Sequence, residues 1–169
     1  SGKDWSELGG YLDAEGYLMC TMGGVLVERD DRAMLIDTGF GSRCVARGEH
    51  PGAPVGGVDT GHIRESLAAL GTPAEAIEIV AITHMHGDHV NGIFPWAAEG
   101  EQRLAFENAR HLFDRDEWGY WSRPDVEGEL SREQFIDPMA RLMDRGSHAG
   151  TFAGGDTIFP GVRAWQTPG

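Results

Sequence analysis

The most informative segment of the sequence is Thr83-His84-Met85-His86-Gly87-Asp88-His89, which comes at the end of an apolar, β-branched run. That run, residues 77–83, is typical of a strand buried on both faces of a central sheet. His84, His86, Asp88 and His89 can each bind a divalent metal, and they fall within six positions. The sequence therefore predicts a cluster of metal ligands at the end of a buried strand.

The spacing of these side chains favours one common site. In an extended backbone, side chains alternate between two sides, so His84, His86 and Asp88 are expected on the same side. Gly87 lacks a Cβ and allows a sharp turn, and a helix beginning at Asp88 would then bring His89 to the same cavity to bind a second ion. Imidazole and carboxylate ligands suit zinc first, and iron, manganese or cobalt are also compatible. A loop of surface histidines is the weaker alternative.

The composition excludes several classes of partner. The chain has 169 residues, the size of one ordinary domain, and its 14 basic and 27 acidic residues give a net charge of −13. Because the basic residues are scattered singly, nucleic acid is not expected as a partner. There is no charged-then-apolar leader, and no stretch approaches the roughly 18 apolar residues that span a bilayer. We therefore expect a cytoplasmic protein with no membrane partner.

Hydrophobic patterning predicts strands and helices in the layered arrangement of an α/β protein. Glycine-rich hairpin turns are expected at 23–24, between strands 17–22 and 25–27, and at 154–156 in the C-terminal tail. The other predicted elements are strands at 33–36, 77–83 and 110–113, a helix at 63–70, and a helix from about Ser131 that restarts at Pro138 and ends at Gly146. Cys20 and Cys44 are expected to be buried free thiols, since their spacing fits no metal knuckle.

The motif at residues 83–89 resembles the T-H-x-H-x-D-H signature of the metallo-β-lactamase superfamily. Leu35-Ile36-Asp37-Thr38-Gly39 is similar to the L-I-D-T-G strand end of that family, and Asn91-Gly92-Ile93 stands where members usually carry G-G-L/I. The resemblance implies the α/β (α+β) class and an αββα sandwich with a two-metal site at its edge.

Applied residue by residue, the resemblance makes His84 and His86 ligands of the first metal ion, and Asp88 and His89 ligands of the second. Asp88 is also the candidate catalytic residue, as a proton shuttle to the leaving group. Asp37 would lie beneath the metals, and a turn residue that caps a strand is an equally compatible interpretation. The sequence assigns no substrate-binding residue.

A second resemblance concerns the branch that contains acyl-homoserine-lactone lactonases and methyl-parathion-hydrolase-like enzymes. The segments 106–110 and 116–121 are similar to its F-P-N-A…E-W-x-x-W pattern, although Glu107 stands where that branch has proline. The alternative is that Trp118, Tyr120 and Trp121 only pack a helix onto the sandwich.

The sequence also departs from the family pattern. Members continue to a third histidine in T-P-G-H, and Gln166-Thr167-Pro168-Gly169 ends one residue before that position. Each metal would then have two protein ligands where a catalytic zinc has three. His50, His62, His111 and His148 match no motif and are expected to be ordinary histidines. We therefore expect residues 1–169 to be a single metallo-β-lactamase-like domain, truncated before its C-terminal part.

The function that the resemblance implies is metal-dependent hydrolysis. A hydroxide held between two metals would attack an ester-like bond in a small molecule, namely a lactone, a thioester or a phosphotriester. The alternative is a non-catalytic half-domain that needs a complementary segment or chain, or a second copy, to complete its metal site. A nuclease activity is disfavoured by the net charge of −13.

Overall fold

A computed structural model describes residues 6–46, 57–94, 103–126, 132–144, 146 and 148–167. The helices in these ranges are α1 Ile63–Ala69, α2 Gly87–Val90, α3 Arg115–Trp121 and α4 Asp137–Asp144, with 3₁₀ turns at Ser6–Tyr11 and Ala74–Ala76 and a π-helical turn at Arg132–Ile136. The strands are β1 Val25–Arg29, β2 Arg32–Ile36, β3 Arg43–Val45, β4 Val58–Thr60, β5 Ile77–Ile82, β6 Arg110–Asp114, β7 Ala149–Phe152, β8 Thr157–Phe159 and β9 Val162–Arg163.

A five-stranded sheet with the order β1-β2-β5-β6-β7 organises the fold. β1 is antiparallel to β2, whereas β2, β5, β6 and β7 run parallel to one another. Parallel strands end at the same edge of a sheet, and ligands of open α/β sheets bind outside those carboxyl ends. The residues that follow β2, β5 and β6 are therefore brought to one edge, and the predicted metal ligands follow β5.

The two faces of this sheet are covered differently. The larger core lies on the helical face, where Ile77, Val80 and Ile82 pack with helix residues such as Leu67 and Met139. The smaller core on the other face consists of buried Met34, Ala81, Leu112 and Phe159, the last of which comes from the β8–β9 hairpin. The predicted mixed α/β architecture is confirmed, with one helical layer and a sheet in the described residues.

Most predicted elements of the sheet and its helices are found within a residue or two of the expected bounds. β5 spans Ile77–Ile82, β6 spans Arg110–Asp114 and α1 spans Ile63–Ala69. The expected interruption of the last helix is also present, because the π-helical turn ends at Ile136 and α4 starts next to Pro138. Ser131, the predicted helix start, lies outside the described residues.

Both predicted glycine hairpins are wrong. Residues 17–22 form no strand apart from a single bridge between Leu12 and Leu18, and β1 instead pairs with β2 across the turn at Asp30 and Asp31. Gly24 has a different role: a Cβ there would lie 2.2 Å from the carbonyl oxygen of Asp37. The turn at 154–156 joins β7 to β8, but these two strands do not pair with each other. β7 pairs in parallel with β6 and extends the main sheet, whereas β8 pairs with β9.

Two further observations concern exposure and length. Cys20 and Cys44 are free as expected, but both are exposed, because they lie on an irregular segment and on the short β3–β4 ladder, outside the cores. Among the described helices, none has the length and apolar character that crossing a membrane requires.

Candidate metal centre

The segment that carries the predicted ligands alternates as expected after β5. Met85 is fully buried, whereas His84 is half-buried and His86 is exposed on the other side of the chain. His86 has an extended backbone (φ −93°, ψ 158°) immediately before α2, and Gly87 begins that helix. The period of two therefore holds up to His86, and α2 then reorients Asp88 and His89.

Three imidazole rings come together at this edge of the sheet. The ring centroids of His84 and His86 are 4.7 Å apart in an edge-to-face arrangement. The rings of His84 and His89 are closer, at 3.9 Å. The structure thus brings together three of the four residues that the sequence assigned to the metals, and Asp88 adjoins them.

Asp37 connects the ends of two strands to α2. Its Oδ1 accepts a hydrogen bond from the Thr83 backbone N–H at 2.8 Å, and its Oδ2 accepts one from the Thr83 hydroxyl at 2.9 Å. Asp37 Oδ2 also lies 2.8 Å from His89 Nδ1. Because a carboxylate only accepts hydrogen bonds, this contact places a proton on Nδ1 and leaves Nε2 as the nitrogen that would bind a metal ion. Asp37 therefore lies behind His89, the residue that the resemblance assigns to the second metal.

The spacing of Asp88 and His89 bears on whether the site fits a metal. His89 Nε2 lies 3.4 Å from Asp88 Oδ2. A tetrahedral zinc ion with bonds of about 2.0–2.2 Å separates two of its ligand atoms by roughly 3.4 Å. The donor types and this spacing fit a divalent ion. Within the described ranges, however, no group of three or more His, Cys, Asp or Glu side chains is arranged to hold one.

Backbone contacts fix α2 against the end of β2. The carbonyl oxygen of His89 accepts hydrogen bonds from the Thr38 backbone N–H and the Thr38 hydroxyl, each at 2.8 Å. After α2, Gly92 passes so close to this segment that a Cβ would lie 2.1 Å from the carbonyl oxygen of Thr38. A glycine at this position thus allows the helix with Asp88 and His89 to approach the strand that ends at Asp37.

A cavity of about 1000 Å³ opens beside His84 and His86. Its wall combines apolar side chains from the hairpin face with polar ones at the strand ends, namely Ile36, Phe152, Val162, Asp114, Asp116 and Glu117. Gln166 Nε2 donates to Asp116 Oδ2 at 3.0 Å and to Asp114 Oδ2 at 3.4 Å across this cavity. No motif in the sequence marks Asp114 or Gln166, and the local signal for Asp114 is its position at the N-cap of α3.

The remaining histidines have other surroundings. His62 is exposed and lies 3.0 Å from Asp59 Oδ1, a contact that raises its pKa. His111 is buried within β6, and burial lowers its pKa to about 4. The carbonyl oxygen of His148 accepts a hydrogen bond from the His111 backbone N–H at 2.8 Å. His50 lies outside the described residues.

These features define an α/β protein whose sheet is parallel except for β1 and which carries a cluster of histidine and aspartate side chains after β5. The model of the metallo-β-lactamase superfamily matches residues 24–169. The chain belongs to the metallo-β-lactamase superfamily. No curated protein matches the chain significantly.

Solved structures resemble the chain in fold. Hydrolase AbOPH of the beta lactamase superfamily is 22% identical with a TM-score of 0.60, and the match covers 90% of this chain and 49% of that one. AiiA from B. thuringiensis, with N-decanoyl-L-homoserine bound at its active site, is 21% identical with a TM-score of 0.55, over 85% and 52% of the chains. AidC, a dizinc quorum-quenching lactonase, is 19% identical with a TM-score of 0.54, over 81% and 45%. This chain therefore spans about half the length of the structures that it matches.

Proposed function

We propose that this chain carries the metal-binding half of a dinuclear hydrolase that cleaves an ester-like bond in a small molecule. The observation that carries the proposal is the grouping of His84, His86 and His89 at the end of β5, with Asp88 beside them and Asp37 behind His89. Membership of the metallo-β-lactamase superfamily also supports a hydrolase function.

His84 and His86 would hold one ion, and Asp88 and His89 would hold the other. Zinc is the first choice for imidazole and carboxylate ligands, and iron, manganese or cobalt are compatible with them. Such ions, when bound, lower the pKa of water toward 7 and polarise a carbonyl or phosphoryl oxygen.

The chain's own side chains would orient the ligands and move a proton. Asp37 keeps the proton of His89 on Nδ1 and so presents Nε2, while Thr83 fixes the Asp37 carboxylate with two hydrogen bonds. The Asp88 side chain is 43% exposed, so that it could pass a proton to a leaving group from the open side of the site.

A lactone is the first substrate class to test, followed by thioesters and phosphotriesters. The apolar wall formed by Ile36, Phe152 and Val162 beside His84 and His86 suits a substrate with an apolar chain next to its reacting group. Three of the similar structures carry an acyl-homoserine, which is the product N-hexanoyl-L-homoserine in two of them and N-decanoyl-L-homoserine in the third. We also propose a cytoplasmic location, as the sequence predicts.

The second candidate is a non-catalytic half-domain that needs a complementary segment, a partner chain or a second copy. It is favoured by the finding that no three-ligand group is arranged for a metal among the described residues. The coverage of about half of each matched structure also favours it. Both candidates use the same ligands, and they differ in whether this chain alone retains metal.

Metal content and intact mass of the purified protein test the proposal, with His86→Ala as the variant and His62→Ala as the matched control. About two zinc or iron ions per chain in the wild type and the control, with a clear loss in His86→Ala, would support a dinuclear site. Hydrolysis of lactones, thioesters and phosphotriesters would then be screened. Retention of the same metal by His86→Ala would contradict the assigned ligands, and little metal in a folded wild type would favour the half-domain.

A further inference from the structure

Glu117 touches the backbone of the segment that carries the proposed ligands. Its Oε2 accepts a hydrogen bond from the Met85 backbone N–H at 2.8 Å, across 32 residues of sequence. Met85 lies between His84 and His86 and its side chain is fully buried. The backbone N–H of Met85 is therefore the point at which a neighbouring element can fix both histidines at once.

The position of Glu117 is itself fixed by α3. Asp114 caps this helix, since its side chain accepts hydrogen bonds from the backbone N–H groups of Asp116 and Glu117. One turn later, the Trp121 indole Nε1–H donates to the same Glu117 Oε2 at 3.2 Å. Trp118, between them, packs against Phe113 in the main core with ring centroids 5.6 Å apart. The carboxylate is thus anchored through the helix to the core.

Trp121 extends this contact to a histidine ring. Its ring lies edge-to-face with His86 at a centroid distance of 6.2 Å. Glu117 and Trp121 are four residues apart and therefore on the same face of α3. Together they contact the ligand segment twice, at the Met85 backbone and at the His86 ring.

We propose that Glu117 is a positioning residue, which fixes the Met85 backbone and thereby the relative orientation of the His84 and His86 imidazoles. The inference rests on the proposed function in so far as the two imidazoles bind metal. A carboxylate that accepts from a backbone N–H forms a charge-assisted hydrogen bond, which is stronger than a neutral one. Groups that orient metal ligands in this way typically change metal affinity by 10- to 100-fold when they are removed.

Four variants of this chain separate positioning from other roles. Glu117→Ala removes the acceptor, and Glu117→Gln keeps an amide oxygen of similar shape. Trp121→Phe removes the indole N–H and one of the two fused rings, and keeps an aromatic side chain at this position. Glu133→Ala is the matched control, because Glu133 is an exposed carboxylate on the π-helical turn.

Two measurements are made on each variant. The first is the zinc dissociation constant, by competition with a chromophoric chelator. The second is the hydrogen-exchange rate of the Met85 amide in the zinc-free protein, by NMR, which also shows that each variant is folded. We expect Glu117→Ala to weaken zinc binding by about 10- to 100-fold and to speed Met85 exchange at least about tenfold. Glu117→Gln should keep most of the zinc affinity and most of the protection of the Met85 amide. Trp121→Phe should give intermediate values of both quantities, and Glu133→Ala should give the wild-type values.

Some results would overturn the inference. Wild-type zinc affinity and Met85 exchange in Glu117→Ala would do so directly. Slow exchange with lost zinc binding in Glu117→Gln would make Glu117 a ligand and not a positioning residue. A folded wild type that binds no zinc would count against the proposed function instead. In that case faster Met85 exchange in Glu117→Ala would still support the positioning role, and unchanged exchange would refute it.

Discussion

At the scale of single residues, Asp37 shows how the site is stabilised. Its backbone has φ +62°, in the left-handed region that costs an L-residue about 1–2 kcal/mol. The carboxylate compensates by accepting hydrogen bonds from Thr83 and His89, and the Asp37 backbone N–H donates to the carbonyl oxygen of Ala81 at 2.9 Å. A strained conformation that is fixed by several contacts is typical of a functional site, and here it joins β2, β5 and α2.

His111 gives a pH prediction at the same scale. Burial lowers its pKa to about 4 in the folded chain, against 6.5 for an unperturbed histidine. The unfolded chain therefore binds a proton that the folded chain does not between pH 6.5 and about 4. Stability should be unaffected by this group above pH 6.5 and should fall as the pH drops toward 4, by about 3 kcal/mol in all.

Urea unfolding of the wild type and of His111→Leu across pH 4–7.5 measures this effect. The difference between the two free energies of unfolding should shift in favour of the variant as the pH falls, because leucine takes up no proton. His62→Leu is a comparison of opposite sign, because the contact with Asp59 raises the pKa of His62. The difference between His62→Leu and the wild type should therefore shift in favour of the wild type as the pH falls. Parallel curves for His111→Leu and the wild type would show that His111 titrates normally in the folded state.

At the scale of elements, two glycines illustrate opposite local constraints. Gly119 lies inside α3, and a Cβ there would meet no atom within 4 Å. Gly92 follows α2, and a Cβ there would lie 2.1 Å from the Thr38 carbonyl oxygen. The first glycine only weakens a helix, whereas the second is required by the close approach of two backbone segments.

Alanine substitutions at these glycines should therefore have opposite effects on stability. We expect Gly119→Ala to stabilise the chain by about 0.5–1 kcal/mol, because alanine loses less backbone entropy in a helix. We expect Gly92→Ala to destabilise it by about 1–3 kcal/mol, because the backbone segments must separate. Urea unfolding of the zinc-free proteins measures both. Equal stability of Gly92→Ala and the wild type would mean that α2 does not pack against Thr38 in solution.

The elements that were predicted correctly are those whose signal is local. The run from Ile77 to Ile82 is recognisable as a buried strand, and α1 follows from helical spacing and the glycine after it. The partner of β1 is also local, because β2 follows it after a two-residue turn, whereas β7 pairs in parallel with β6, which is distant in sequence. A glycine pair can form a hairpin, but Gly24 is placed where Asp37 approaches, and residues 17–22 remain without a regular partner strand in the described chain.

At the scale of the whole molecule, the net charge of −13 on 169 residues is the dominant electrostatic feature. Like charges repel more strongly in the compact state than in the expanded one, so that a large net charge lowers stability. A few surface ion pairs oppose this effect, such as Arg32 with Glu78 at 2.7 Å and Arg64 with Glu75 at 3.2 Å. Exposed pairs of this kind contribute little individually.

Added salt should therefore stabilise this chain. Raising NaCl from about 0.01 M to about 0.15 M should increase the free energy of unfolding by roughly 1 kcal/mol, which corresponds to about 2–4 °C in Tm. Thermal unfolding by circular dichroism measures this, and KCl at equal ionic strength is the control for specific ion effects. A lower Tm at the higher salt concentration would show that the ion pairs outweigh the net repulsion.

Local sequence was enough to predict a cluster of metal ligands and its position after a strand. The motif at residues 83–89 specifies donors and spacing within seven positions, and the apolar run before it specifies a strand, so that both are read from local order. The resemblance of these residues and of the segment around Asp37 implied the superfamily, and the match over residues 24–169 confirms it.

The distant residues around this cluster are known from the three-dimensional fold alone. Asp37 meets His89 across 52 residues, Glu117 meets Met85 across 32, and Gln166 meets Asp114 across 52. No periodicity or cap connects such positions, because their separation in space is set by the order of strands in the sheet and by how α3 packs on it. Local patterns fix what each segment forms, whereas the packing of segments fixes which side chains share an environment.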